Sequence, residues 1–208
     1  MIRAGVRSTL GVHTGNVAFE VQIVSLSQGG HVRVGFSTAS SSLHLGQDAS
    51  SFGYQNNSTL VHSGKREPYG ETFAQGDIIG CFYSSHQRVI GFAKNGRPLG
   101  TAVSVPEDLR HSAFFAHVSL QCAFVSLNFG QVERPPFHST LASFNFINRT
   151  PMQNVVAGPE FDPAQQRSLT LLVGLPYSGK TTWYKKVSNF IIRKNGGIID
   201  SLTRQLIH

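Results

Sequence analysis

Short apolar runs recur between residues 17 and 129, and the first of them alternates apolar and polar positions with a period of two, the mark of a strand with one buried face. Residues 17–24, Val-Ala-Phe-Glu-Val-Gln-Ile-Val, predict one strand, and Val32-Arg-Val-Gly-Phe36 predicts a second. Ile78 to Tyr83 predicts a third, after Asp77. Val89 to Lys94 and Leu99 to Val105 flank Asn95-Gly96, and Asn-Gly between apolar runs signals a tight hairpin because both turn residues take positive φ. Phe114 to Val118 and Cys122 to Phe129 predict two more strands. No helical period runs through this region. Short strands joined by glycine-rich turns predict an antiparallel β-sandwich.

The pattern changes after residue 130. Gln131 to Pro136 is charged and proline-rich, and Phe144-Asn-Phe-Ile147 is expected to pack back on the sandwich. Pro151, Pro159 and Pro163 among scattered polar residues make 148–167 read as a linker. Leu169 to Val173 is then a continuous apolar run, as in a strand buried on both faces. Past it, Trp183, Val187, Phe190 and Ile191 form one helical stripe that ends at Asn195-Gly-Gly197. The organisation predicted is a sandwich over 1–147, a linker over 148–167 and a second segment over 168–208.

Between that strand and helix stands Gly174-Leu-Pro-Tyr-Ser-Gly179-Lys180-Thr181, a full G-x-x-x-x-G-K-[ST] loop. Its glycines let successive backbone N–H groups point at phosphate oxygens, its lysine adds a cation, and its threonine hydroxyl can ligate magnesium. Gly174, Ser178, Gly179, Lys180, Thr181 and Thr182 are the candidate nucleotide-binding residues, with ATP and Mg²⁺ as the candidate ligands and Thr181 as the Mg²⁺ contact. The segment supplies only the first strand–P-loop–helix of an α/β P-loop domain. Two readings stand: a nucleotide site, or a remnant strand–loop–helix.

Charge alters the picture in one place. The chain carries a net charge of +7, and residues 1–148 hold ten basic and eight acidic side chains against eight and three in 149–208. The tail is therefore where a nucleic acid would be attracted, unless Lys185, Lys186, Arg193 and Lys194 are simply a solvated helix face. Cys81 and Cys122 each lie in an apolar run without a C-x-x-C partner, so both are expected to be buried, reduced thiols of an intracellular protein. No apolar stretch reaches the roughly 20 residues that cross a bilayer. The nine histidines form no H-x-x-x-H or H-E-x-x-H pair, and no G-x-S-x-G elbow occurs, so metalloprotease and serine-hydrolase chemistry find no support. Ten aromatics, Phe36, Phe52, Tyr54, Phe82, Tyr83, Phe92, Phe114, Phe115, Phe124 and Phe129, fall within strand patterns and are expected in the core rather than as base-stacking platforms.

The sandwich resembles a SPRY domain. Phe19-Glu20, Val32 to Ser37, Leu45-Gly46, Ser51-Phe-Gly-Tyr54, Gly76 to Cys81, Phe92 to Gly96, Leu99-Gly100 and Leu127-Asn-Phe-Gly130 follow that family's order, with Phe36 where a tryptophan is usual. The resemblance implies a non-catalytic protein-interaction module that binds partners through loops at one end, here Ser37–Leu43, Asn56–Glu67 and Ser84–Arg88. It also implies an edge strand upstream of Met1. SPRY followed by a P-loop resembles the heterogeneous nuclear ribonucleoprotein U (scaffold attachment factor A) family, which shares Val173-Gly-Leu-Pro176, Gly179-Lys-Thr181 and Trp183. That likeness implies a nuclear RNA- and DNA-binding component of RNA processing or chromatin organisation, present here as a fragment without the family's SAP segment and arginine-glycine tail. The P-loop segment also resembles polynucleotide 5′-hydroxyl kinases, whose base is an aspartate. Asp200 is the weak catalytic candidate, displaced by one residue when Arg204 is aligned. SPRY adaptors of ubiquitin ligases and Ran-binding-type scaffolds are a third class, and they lack a P-loop.

Overall fold

In the computed structural model, residues 4–100, 103–131 and 143–159 are described here. The chain divides into two units, Met1–Glu160 and Phe161–His208, and the second lies outside the described residues. The first unit is antiparallel β-structure, as the alternation predicts. Its strands are β1 (Ala4–Val12), β2 (Asn16–Ser37), β3 (Ser51–Gln55), β4 (Asn57–His62), β5 (Lys65–Thr72) and β6 (Ile78–Ser84). They continue with β7 (Val89–Lys94), β8 (Arg97–Pro98), β9 (Val103–Ser104), β10 (Phe114–Asn128), β11 (Asn145–Phe146) and β12 (Val155–Ala157).

Two long strands organise the rest. β2 pairs with β10 from Glu20↔Asn128 to Ser37↔Phe115. On its other edge, the first half of β2 pairs with β6 and the second half with β3. One layer therefore runs β9/β8–β7–β6–β2–β10 and the other runs β5–β4–β3–β2–β10–β1–β12, with β2 and β10 common to both. The bend comes at a bulge. The register passes from Gln121↔His31 to Ala123↔Leu26, so residues 27–30 of β2 stand against Cys122 alone. Gly29 at φ 74° and Cys122 at φ 49° turn the two chains there.

The alternating apolar residues meet between the layers. Phe19, Phe36, Phe52, Tyr54, Tyr83, Phe92 and Phe114 are all buried. Tyr54 lies 5.3 Å from Phe92 and Tyr83 lies 4.9 Å from Phe114, ring centre to ring centre, in tilted pairs that suit the aromatic quadrupole. Asn95 and Gly96 take φ 49° and 82°, the two positive values the hairpin signal demands. Phe146 pairs in parallel with Ala18 through β11, and Ile147 is buried, so the 144–147 segment does pack back.

Several expectations are corrected. The separate strands at 17–24 and 32–36 are one strand, because the bulge bends the ladder without ending it. Among the described residues of Leu99 to Val105 only β9 is strand, and the Leu99 amide ends the hairpin by donating a hydrogen bond to the Phe92 carbonyl at 3.0 Å. Within 148–167, read as linker, the chain forms short 3-10 turns at Ile147–Arg149 and Met152–Asn154, and β12 then adds an edge strand to β1. Prolines marked irregular backbone there, but not its loss of contact. Phe124 is 65% exposed and Cys122 is exposed, because β10 beyond the bulge turns alternate side chains to solvent. Cys81 is buried as expected, and burial raises its thiol pKa well above the usual value.

A Cβ on Gly35 would collide with the Phe52 carbonyl oxygen of the neighbouring strand. Backbone cannot withdraw as a side-chain tip can, so Gly35→Ala is expected to destabilise the sandwich by about 2 kcal/mol or more. A urea titration checks it: the midpoint falls while the slope is unchanged.

Candidate functional site

The second half of β2 and its neighbours bury both of their faces. Inward lie Val32, Val34 and Phe36; outward lie Arg33, Gly35 and Ser37, flanked by Gln55, Gly53 and Ser51 of β3 and by Ser119, His117 and Phe115 of β10. Every one of these outward residues is buried. The cover is the 38–50 connection, which lies flat over the sheet. Flatness requires small residues beneath it: a Cβ on Gly5 would strike the Leu43 carbonyl, and one on Gly53 would come within 2.9 Å of the Leu45 side chain.

Hydrogen bonds fix this cover, as buried polar groups require. Arg33 donates from Nε to Gln55 Oε1 at 2.7 Å and from Nη1 to the Leu45 carbonyl at 2.9 Å. The Leu45 amide donates to Ser119 Oγ at 3.1 Å, and that hydroxyl donates to the Leu43 carbonyl at 3.0 Å. Arg7 on β1 donates from Nε to Ser37 Oγ at 3.0 Å and from Nη1 to the Ala39 carbonyl at 2.5 Å, and Nη2 bonds the Ser41 carbonyl.

His117 closes the network. Its Nε2 faces the Leu43 carbonyl at 3.2 Å and its Nδ1 faces Ser37 Oγ at 2.8 Å. A carbonyl only accepts, so Nε2 carries the proton and Nδ1 accepts from the serine hydroxyl, which in turn accepts from Arg7. Burial first, and the Arg7 cation second, push the His117 pKa from 6.5 down to about 4.

A cleft of about 440 Å³ opens beside the 38–50 cover, where it meets the β4–β5 hairpin. Arg33, His44, Gln47, Val61, Gly64, Arg66 and Gln121 line it. The hairpin turn is Ser63-Gly64, at φ 52° and 71°, and the Gly64 amide donates to the Gly46 carbonyl at 2.9 Å, tying turn to cover. A Cβ on Gly46 would come within 2.7 Å of the Val61 carbonyl oxygen, so the close approach also depends on glycine. Among the described residues the lining holds two guanidinium groups, an imidazole and two amides, and no carboxylate. Its chemistry is that of an anion-accepting groove with a short apolar floor.

The sequence-derived candidates fall unevenly. Asn56–Glu67, read as a loop, is mostly β4 and the start of β5, and its hairpin end does border the cleft. Of Ser37–Leu43, Ser37 ends β2 and the rest lies over the sheet, with the cleft beginning one residue later at His44. Ser84–Arg88 is the β6–β7 turn and borders a different depression. Arg33 and Gln121 were missed because strand patterns conceal an outward polar residue that a loop later covers. The signal was present in Val32-Arg-Val34, a cation inside an alternating strand. Gly174, Ser178, Gly179, Lys180, Thr181, Thr182 and Asp200 lie outside the described residues. Among the described residues no group of three or more His, Cys, Asp or Glu is placed to hold a metal ion, and no helix is long and apolar enough to cross a membrane.

Comparison with known proteins agrees with this architecture. The SPRY domain model matches residues 16–132. The chain belongs to the SPRY domain family. The match begins where β2 begins and takes in β10, so both long strands are part of the family's frame, whereas β1 and β12 lie outside it. Heterogeneous nuclear ribonucleoprotein U-like protein 2 of Mus musculus is 36% identical over 195 residues, covering 88% of this chain and 26% of that protein; the Homo sapiens protein gives the same values. ATP-dependent RNA helicase DDX1 of Xenopus laevis is 34% identical over 174 residues, covering 83% of this chain and 23% of the helicase. The chain spans about a quarter of the length of these curated relatives. Its SPRY module is thus similar to modules that occur in RNA-associated proteins.

The pKa of His117 makes the cover acid-sensitive, with a definite sign. In the unfolded chain the ring takes up a proton near pH 6.5, but in the fold not until about 4. The His117 contribution is therefore complete above pH 6.5 and is lost as pH falls through that interval, to a total of roughly 3 kcal/mol. Chemical denaturation of wild type and His117→Gln across this range is expected to show the slope in the first and its flattening in the second.

Proposed function

We propose that this chain is the protein-recognition part of a nuclear ribonucleoprotein component acting in RNA processing or chromatin organisation. Its SPRY sandwich captures an acidic segment of a protein partner in the cleft between the 38–50 cover and the β4–β5 hairpin. The observation that carries this reading is the lining itself: Arg33, His44 and Arg66 converge with no carboxylate among them. Arg33 is held in place by Gln55 and Leu45, so its guanidinium is preorganised and loses little freedom when a partner binds. Arg66 is exposed on the hairpin and supplies the steering charge. Similarity to heterogeneous nuclear ribonucleoprotein U-like protein 2 and to an RNA helicase supports the RNA-associated setting and the nuclear location.

Arg66→Glu is expected to weaken partner capture about tenfold or more. The thermal midpoint should barely change, since the residue is on the surface. Affinity purification from nuclease-treated nuclear extract, quantified by mass spectrometry, checks it. RNA-processing proteins should be recovered by wild type and depleted with the variant. Recovery of ubiquitin-ligase subunits without RNA-processing proteins would favour the adaptor reading instead.

The 168–208 segment adds a second activity to this reading. The run Gly174 to Thr181 would cradle nucleotide phosphates, Lys180 would neutralise them, Thr181 would contact Mg²⁺, and the basic residues after it would contact RNA or DNA. ATP is expected to bind the wild-type chain and not Lys180→Ala, read by titration calorimetry. Wild type without heat of binding removes the nucleotide site, and with it the polynucleotide-kinase reading in which Asp200 would serve.

A further inference from the structure

A second concave surface lies at the end of the sandwich where β1 turns into β2. Two depressions adjoin there and share His13. The first, about 480 Å³, is lined by His13, His86, Arg88, Glu107, Arg110 and His111 together with two hydroxyl residues. The second, about 410 Å³, is walled by Ala39, Ala113, Phe115, Val156 and Pro159. One half is strongly basic in composition and the other half is apolar.

The basic half rests on a fixed frame. The Gly15 amide donates to Ser85 Oγ at 2.8 Å and the Ser85 amide donates to the Gly15 carbonyl at 3.0 Å, which clamps the turn bearing His13 to the turn bearing His86 and Arg88. The His13 amide donates to the Asn154 carbonyl at 2.9 Å, and the Val105 amide to the Arg88 carbonyl at 2.8 Å. Glu107 is the single carboxylate among the described lining residues, and both arginines engage it: Arg110 at 2.9 Å and Arg88 in direct ion contact. Among the described lining residues the two guanidinium groups thus share one carboxylate, an excess of one positive charge. Asp108 shares the Glu107 turn but is not part of the lining. The three histidines are exposed, and they come from three different connections.

Two adjoining depressions of opposite character suit an extended segment, whose successive side chains enter separate pockets. A small anion would use the basic half and leave the adjoining apolar wall wet. We propose that this end surface is a docking site for an extended protein segment carrying an apolar side chain beside a run of carboxylates. The apolar side chain seats against Phe115 and Val156, and the carboxylates lie across His13 towards Arg110 and His111. This surface shares no lining residue with the Arg33–Arg66 cleft, although the 38–50 cover borders both, so one SPRY module holds two acidic segments.

The test uses the full chain and a phage-displayed library of random peptides. Enriched sequences are expected to place Asp or Glu directly after an apolar residue. The best such peptide, labelled and titrated by fluorescence anisotropy, is expected to lose about tenfold or more in affinity with Arg110→Glu and with His111→Ala. Ala157→Arg, which occupies the apolar half from its exposed rim, should have the same effect. Arg66→Glu should leave its affinity unchanged. Thermal midpoints of the variants separate loss of the surface from loss of the fold. Enrichment of peptides without acidic residues, no enrichment, or peptides whose affinity falls with Arg66→Glu and not with Arg110→Glu or His111→Ala would overturn the proposal. The last of these would at the same time support the cleft beside the β4–β5 hairpin.

Discussion

The pairing of β2 with β10 is the constraint from which the rest of the structure follows. Each strand belongs to both layers, so neither layer forms without the other. This is a ladder between residues far apart in sequence, and its loop-closure entropy must be met by burial on both sides. The fold meets it with continuous apolar faces: Val17, Phe19, Val21 and Ile23 before the bulge, and Val32, Val34 and Phe36 after it, are all buried. The bulge at residues 27–30 resolves a geometric conflict. A straight strand of 22 residues could not keep its apolar side turned to one core while its edge partner changes from β6 to β3.

Function grows from the outer face of the same strands. Gly35, Gly53, Ser37, Ser51 and Ser119 are too small to fill a core, and they instead provide a flat bed for the 38–50 cover. A polar bed is a demanding choice, because each unpaired group there would cost about 1–3 kcal/mol. The chain answers with a connected series, Arg7 to Ser37 to His117 to Leu43, in which every donor meets an acceptor. Such a network favours one loop conformation over its neighbours, as a shift of register would orphan several groups at once. That definition is what allows Arg33 and His44 to be displayed at a fixed separation from the hairpin carrying Arg66.

The sequence carried the inner face well and the outer face poorly. Period-two alternation identified the core side of β2, β6, β7 and β10, and Asn95-Gly96 identified the one hairpin whose turn chemistry is unmistakable. β1, β4 and β5 escaped notice. β1 alternates weakly, and Thr59, His62, Lys65 and Arg66 give β4 and β5 the composition of a loop although Ser63-Gly64 turns them as a hairpin. Phe124 and Cys122 were placed in the core by residue type, whereas the bulge turns both outward. A sequence window cannot see a bulge that depends on the opposite strand. The cleft was invisible for a related reason: Arg33, Gln47, Arg66 and Gln121 are far apart in sequence and converge only through the cover. The phosphate loop is the reverse case, a contiguous motif readable without any fold.

The 38–50 cover borders both surfaces, with Thr38, Ala39 and Ser40 at the end depression and His44 and Gln47 at the cleft. Sharing a loop does not by itself couple two sites; coupling needs an element with two arrangements that each ligand biases differently. The cover lacks the features of such an element at neutral pH. Its carbonyls at Ala39, Ser41, Leu43 and Leu45 are all taken by side chains of β1, β2 and β10. Moving it by one residue would break bonds to three strands at once, so it behaves as a fixed partition. Two acidic segments would then bind independently, and joining them on one partner would raise avidity through effective concentration alone.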